Sequence, residues 1–173
     1  MILKEFYNRN KPLINSIITG IIYFIFSWSV DFNEGIKVLF ISVMMFLPGL
    51  TFPLVTTYYK LKGENKILIH LILSVLIYHC SVWLFSGEGV IKYITIAAGI
   101  FGSLLYLIIT KLILKRDISF IQIMITSLLS GLAFLPYELI GREGILIGLA
   151  ILQWNIFNGI VLNHEFKRSI ESH

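Results

Sequence analysis

The chain has 173 residues, of which 57% are hydrophobic and only 14% charged. Soluble domains carry about 25% charged residues, so the composition excludes an ordinary soluble globule and points to an integral membrane protein. The formal charge of +4 does not imply a nucleic-acid partner, because the basic residues sit in short clusters between apolar runs, as the positive-inside rule distributes them.

In chain order, the start MILKEFYNRNK followed by an apolar run has the outline of a signal peptide. No small-residue cleavage site follows, since FSWSVDF is bulky, so the segment reads as a retained helix. Six apolar stretches, free of charged residues but for a lysine near an end (Lys37, Lys111), are each long enough to cross a hydrocarbon core of about 30 Å. They cover 13–30, 36–59 (with Lys37 at its edge), 67–85, 93–114, 118–137 and 145–162. The connections are short, so consecutive helices are expected to be antiparallel neighbours in one domain, a compact all-α bundle of six transmembrane helices. The first carries Ser16, Gly20, Tyr23 and Ser27 at helical spacing. Small residues recur in pairs four apart in the fourth (Ala98 with Gly102, Gly99 with Ser103), fifth (Ser127 with Gly131) and sixth (Gly144 with Gly148). Such pairs let membrane helices approach closely, and packing within one bundle is their simplest use.

The second stretch contains MMFLPGLTFPLV, residues 44–55. A proline in a helix interior loses a hydrogen bond and clashes with the preceding turn, at about 3 kcal/mol. No water repairs that in lipid. The expectation is a helix kinked or broken at Pro48-Gly49, its freed carbonyls met by side-chain amides of the sixth helix. FLPGL here is echoed by FLPYEL at the outer edge of the fifth stretch, a weak hint of an inverted repeat.

Alternate connections give a charge test. One side collects Lys4, Arg9, Lys11, Lys60, Lys62, Lys66, Lys111, Lys115, Arg116, Lys167 and Arg168; the other has only Lys37, Lys92 and Arg142. Acidic residues divide evenly. The bias predicts that both termini are cytoplasmic, in what reads as a bacterial inner membrane. Trp28, Trp83, Tyr93 and Tyr137 at the outer ends, with Tyr58 and Tyr59 at an inner end, fit aromatic belts.

Counting inward at about 1.5 Å per residue sets an unusual group of residues at one depth. It comprises Tyr23, Pro48, Gly49, Tyr78, His79, Gly102, Ser103, Ser127 and Ser130, with Gln153, Trp154, Asn155 and Asn158 from LQWNIFNG. Buried amides are costly unless satisfied, and interrupted helices at mid-depth often line substrate sites. The candidate ligand-binding set is therefore Pro48, Gly49, Tyr78, His79, Gln153, Trp154, Asn155 and Asn158. Trp154 would supply a flat surface and Asn155 and Asn158 the orienting groups. His79 taken alone reads as a hydrogen-bonded interior histidine. A closed cavity above about 300 Å³ would fit this binding reading.

Other chemistry finds no motif. His70 and His79 are nine residues apart and project from opposite helix faces, so they do not share a metal or haem. The lone cysteine, Cys80, forms no internal disulfide. There is no Gly-x-Ser-x-Gly, HExxH, Walker loop or dinucleotide fingerprint. Glu138 and Arg142 in YELIGRE match half of the Glu-Glu-x-x-x-Arg motif of CAAX-type membrane proteases, but Tyr137 replaces the first glutamate; the pair reads as an outer-surface ion pair. No catalytic role, metal or cofactor is expected, and the lack of intramembrane acids or lysines argues against proton-coupled transport.

Six short-looped helices, cytoplasmic termini and no energy-coupling motif resemble the substrate-binding S-components of energy-coupling-factor importers. The likeness is architectural, with Ser16-x-x-x-Gly20 standing where that family shows an alanine-rich small-residue face. It implies a non-catalytic protein that captures a small apolar or weakly polar ligand, or a passive carrier. The alternative is an accessory or scaffold subunit of an inner-membrane complex, or an oligomeric pore-forming effector. Its partners would then be membrane lipid and another subunit or a second copy of the chain.

Overall fold

The computed structural model describes residues 2–29, 46–58, 64–85, 93–141 and 143–171, together with Val43. Every regular element among them is helical: α1 (Ile2–Arg9), α2 (Lys11–Ser29), α3 (Leu47–Thr56), α4 (Glu64–Phe85), α5 (Ile94–Leu114), α6 (Phe120–Leu132), α7 (Leu135–Leu139) and α8 (Gly144–Glu171). Five stretches are long and apolar enough to cross a membrane: Lys11–Ser29, Asn65–Leu84, Ile94–Leu114, Phe120–Leu139 and Gly144–Ile170. The shortest has 19 residues, about 28 Å of helix. The chain thus has the make-up of an integral membrane bundle. Of the expected second span, residues 36–42, 44, 45 and 59 lie outside the described residues; its described helix, α3, is 10 residues long.

The helix ends follow local chemistry. Asn10 separates α1 from α2, its side-chain amide donating to the Phe6 carbonyl at 2.9 Å, and Pro12 falls in the first turn of α2, where a missing N–H is tolerated. Ser119 and Gln122 form a reciprocal capping box at the start of α6. The expected fifth span, 118–137, is divided. Pro136 lies in the first turn of α7, and ahead of it the Phe134 N–H bonds three residues back to Gly131 at 3.0 Å, a tightened turn that ends α6. The last helix continues to Glu171 rather than ending at 162, because no proline or glycine follows Gly159 to stop it.

The closest seam joins α2 to α8. Ser16, Gly20, Tyr23 and Ser27 are all buried. A methyl group on Gly148 would stand 2.9 Å from the Phe24 carbonyl oxygen, and the Ser27 hydroxyl donates to the Gly144 carbonyl at 2.7 Å. On α5 a methyl at Gly99 would be 2.8 Å from the Ser130 carbonyl oxygen of α6. The small-residue stripes are therefore used within the bundle, as expected of helices that lipid does not drive together.

One end of the bundle gathers Asn10, Thr57, Arg116 and Glu165. Arg116 contacts the Glu165 carboxylate at 3.3 Å and donates to the Thr57 carbonyl at 3.1 Å, while Asn163 donates to Asn10 at 3.3 Å. At the other end Glu138 accepts from the backbone N–H of Thr95 at 3.4 Å and from its hydroxyl. A carboxylate there complements the positive N-terminus of α5. Arg142, the partner expected for Glu138, lies outside the described residues. Trp28, Trp83 and Tyr93 are exposed, but Tyr137 is buried rather than set in an aromatic belt. Tyr58 also turns inward, to His70 at 2.9 Å; Tyr59 lies outside the described residues.

Candidate functional site

The site begins with the proline segment. Pro48 occupies the first turn of α3, a position whose N–H has no intrahelical partner anyway. Pro48 thus stands at the start of α3 and Pro53 inside it; residues 44 and 45, on which a kink or break of the second span at Pro48-Gly49 depends, lie outside the described residues. Phe46-Leu47-Pro48 and Phe134-Leu135-Pro136 share this form: phenylalanine at the cap position, leucine first and proline second. The sequence echo is thus a shared way of starting a short helix. Gly49 then lets α3 lie directly on α4: a methyl group there would be 2.7 Å from Tyr78 Cβ and 3.0 Å from Val75 Cα.

Between α3, α4, α5 and α8, with Phe134 closing one side, is a cavity of about 130 Å³. Pro48, Gly49, Tyr78, Trp154 and Asn155 line it, so five of the eight sequence-predicted residues come together there. The volume is smaller than expected, because Phe52, Tyr106 and Phe134 also turn their rings toward it. Trp154 meets Phe52 edge-on, ring centres 5.2 Å apart, and lies 6.3 Å from Tyr106.

Asn155 is 2% exposed. Its side-chain N–H donates to the Ile151 carbonyl one turn back, at 2.8 Å, and its Oδ1 has no hydrogen-bond partner among the described residues. Exchanging the amide N and O would set two carbonyl oxygens against each other at that distance, so the network fixes the orientation. A bare acceptor therefore belongs to a residue of the cavity wall. The Trp154 indole N–H and the Tyr78 hydroxyl likewise form no hydrogen bond among the described residues.

The remaining predicted residues are elsewhere. Asn158, fully buried, accepts from Ser103 at 2.9 Å and donates to Ser130 at 3.2 Å and to the Trp154 carbonyl at 2.9 Å. It joins α5, α6 and α8. Asn155 and Asn158 each donate to the carbonyl one turn back in their own helix; the carbonyls near residue 44 expected to meet these amides lie outside the described residues. His79 stacks on Phe46 with ring centres 4.9 Å apart, and its buried Nδ1 lacks a partner among the described residues. The hydrogen bond expected of an interior histidine is thus lacking at Nδ1 among the described residues. Gln153 is half-buried and outside the cavity wall.

The histidine at the centre of a network is His70, fully buried. Thr110 gives its proton to the Tyr106 carbonyl at 2.7 Å, so its oxygen accepts from His70 Nε2 at 2.9 Å. Nδ1 is then the acceptor and takes the Tyr58 hydroxyl at 2.9 Å. Ser74, on the cavity wall, is 3.5 Å from that nitrogen but donates to the His70 carbonyl at 2.8 Å. The nearest thing to a serine–histidine pair is thus already satisfied, with no carboxylate orienting the imidazole. Depth counting missed His70 because it lies more than two turns from His79 toward the helix start. The available signal was hydroxyls at helical spacing, Tyr106 with Thr110 and His70 with Ser74.

No group of three or more potential metal ligands occurs among the described residues. No protein-family model matches the chain, and neither the curated proteins nor the solved structures provide a match.

Proposed function

We propose that the chain is a non-catalytic polytopic membrane protein that holds a small molecule inside its helix bundle, as the capture subunit of an importer or as a passive carrier. The observation that carries this reading is the cavity lined by Pro48, Gly49, Tyr78, Trp154 and Asn155, the last a buried residue whose oxygen has no partner among the described residues. Interior voids are few and buried polar atoms are normally paired. Both departures at one place are what a vacant binding site presents. The absence of a nucleophile–base–orienter set among the described residues favours binding over catalysis. The small-residue stripes that would favour an accessory or pore-forming subunit are packed within the chain, which weakens that alternative. In this reading six spans cross a bacterial inner membrane, with α3 part of the second. The end bearing Arg116, Lys167 and Arg168 faces the cytoplasm with both termini.

Native mass spectrometry of gently extracted protein tests the proposal. The expected result is a retained non-lipid mass that is lost when Val82→Phe fills the cavity. A protein carrying no such mass, or carrying it equally in Val82→Phe, overturns the reading.

A further inference from the structure

We infer that α1 is an interfacial anchor for anionic phospholipid. It lies in the headgroup layer on the side of the N-terminus, with Leu3 and Phe6 turned to the acyl chains and Lys4 and Arg9 to lipid phosphates. This needs only a membrane bundle and stands whether or not the cavity holds a ligand.

The eight residues Ile2–Arg9 divide by chemistry around the helix. Leu3, Phe6 and Tyr7, at i, i+3 and i+4, share one apolar face, and Lys4, Glu5, Asn8 and Arg9 take positions on the rest of the circumference. An isolated helix shorter than about 12 residues is marginal in water, so a helix of this length needs a surface to lie on. The bundle does not supply it. Every side chain from Leu3 to Arg9 is exposed, Leu3 at 84% and Phe6 at 59%.

Three charges, Lys4, Glu5 and Arg9, exclude α1 from the hydrocarbon core itself. Its position is set from its far end. Asn10 donates to the Phe6 carbonyl and accepts from Asn163, and the Tyr7 hydroxyl donates to Asn15 at 3.3 Å. Directly after, at Lys11, begins α2, which is long and apolar enough to cross the membrane. α1 is therefore tethered where a spanning helix leaves the bilayer. That is the level at which an amphipathic helix sinks its apolar face, by about 5–10 Å.

Charge selects the lipid. The Lys4 and Arg9 side chains form no ion pair or hydrogen bond among the described residues, and Lys11 stands 5.8 Å from the centre of the Tyr7 ring. Glu5 is the only acid in residues 1–11. The surplus of positive charge at that depth complements an anionic lipid surface, whereas a second copy of α1 would set like charges against each other.

Nitroxide labels on the full chain test this, with Cys80→Ser removing the exposed native thiol. One label is attached through Leu3→Cys, and a control on the other face through Asn8→Cys. The protein is reconstituted in vesicles of phosphatidylcholine alone or mixed with phosphatidylglycerol. Spin relaxation is then measured with oxygen, which concentrates in lipid, and with a neutral nickel chelate, which stays in water. In the anionic vesicles the Leu3 label should be reached by oxygen and shielded from nickel, and the Asn8 label the reverse. Adding Lys4→Gln and Arg9→Gln should lower the ratio of immersed to solvent-exposed Leu3 label about 25-fold, about fivefold for each charge removed. Phosphatidylcholine alone should lower it at least as much. A Leu3 label as open to nickel as the Asn8 label overturns the anchor. Equal immersion in both kinds of vesicle overturns the assignment to anionic lipid. A Leu3 label shielded from both relaxants and broadened by a neighbouring spin gives the face to a second copy, which overturns it too.

Discussion

Asn155 and Asn158 are one turn apart on α8 and alike in sequence, yet replacing each by leucine should have opposite consequences. Asn158→Leu removes three hydrogen bonds: one accepted from Ser103, one donated to Ser130 and one donated to the Trp154 carbonyl. Hydrogen bonds between membrane helices average about 0.6 kcal/mol, so the two interhelical bonds amount to roughly 1 kcal/mol. Ser103 is fully buried and would be left without its acceptor, a penalty of about 1–3 kcal/mol. A destabilisation of about 2–4 kcal/mol follows from those two terms.

Asn155→Leu loses only the bond to its own helix at Ile151 and removes an acceptor that is unpaired in the empty protein. Its change in stability should lie within about 0.5 kcal/mol of zero or be slightly favourable, because leucine also has the higher helix propensity. Reversible unfolding in mixed micelles, without added ligand, measures both. Equal losses for the two variants would refute the division of α8 into a packing amide and a site amide.

Gly49→Ala should destabilise by about 1–3 kcal/mol through overpacking, since the new methyl meets α4 at Tyr78 Cβ and Val75 Cα; unchanged unfolding would show that α3 and α4 are not in backbone contact. Arg116→Met strands the Glu165 carboxylate, whose side chain is 12% exposed, and should cost about 3–5 kcal/mol. Adding Glu165→Leu should recover most of that loss, and failure to recover would show that Arg116 acts through partners other than Glu165, the Thr57 carbonyl among them.

Much of the fold is legible in composition and charge, because bilayer thickness and backbone hydrogen bonding leave few options for a chain this apolar. Hydropathy finds the long helices, and the small residues of α2 and α8 meet as their spacing implies. The prolines are harder to read. Proline in an apolar run looks like damage to a helix, whereas Pro48 and Pro136 each sit in a first turn, and sequence alone does not say which residue begins a helix when no polar cap precedes it. Depth counting also selects a layer without selecting a direction around the helix axis. It therefore groups Asn155 with Gln153 and His79, although about 100° per residue turns these away from the cavity. His70 escapes for the complementary reason: its partners come from Tyr58 and Thr110, and only the packing of three helices brings them together.

The void itself is the strongest indication that the interior serves an occupant. For a sealed cavity roughly 24 cal/mol per Å³ applies, so about 3 kcal/mol is the upper limit of the cost of leaving about 130 Å³ unfilled in this partly open pocket. A remedy lies one residue away, since a methyl on Gly102, which lines the cavity, would meet only Ser81, with Oγ 2.9 Å and Cβ 3.4 Å distant. That hydroxyl donates to the Ile77 carbonyl of its own helix at 2.8 Å, so swinging it aside gives up a bond worth about 0.5–1.5 kcal/mol. Gly102→Ala would also relieve the entropic disadvantage of an interior glycine, about 0.5–1 kcal/mol. The variant should therefore unfold only about 0.5 kcal/mol harder than wild type in the absence of ligand, and retain less of the bound non-lipid mass in native mass spectrometry. Stability gained together with binding lost is the pattern of a site kept open at the expense of packing. A variant that is more stable and binds as before would show the void to be an incidental packing defect, and a less stable one would mean that Gly102 is held by contacts closer than those around the cavity.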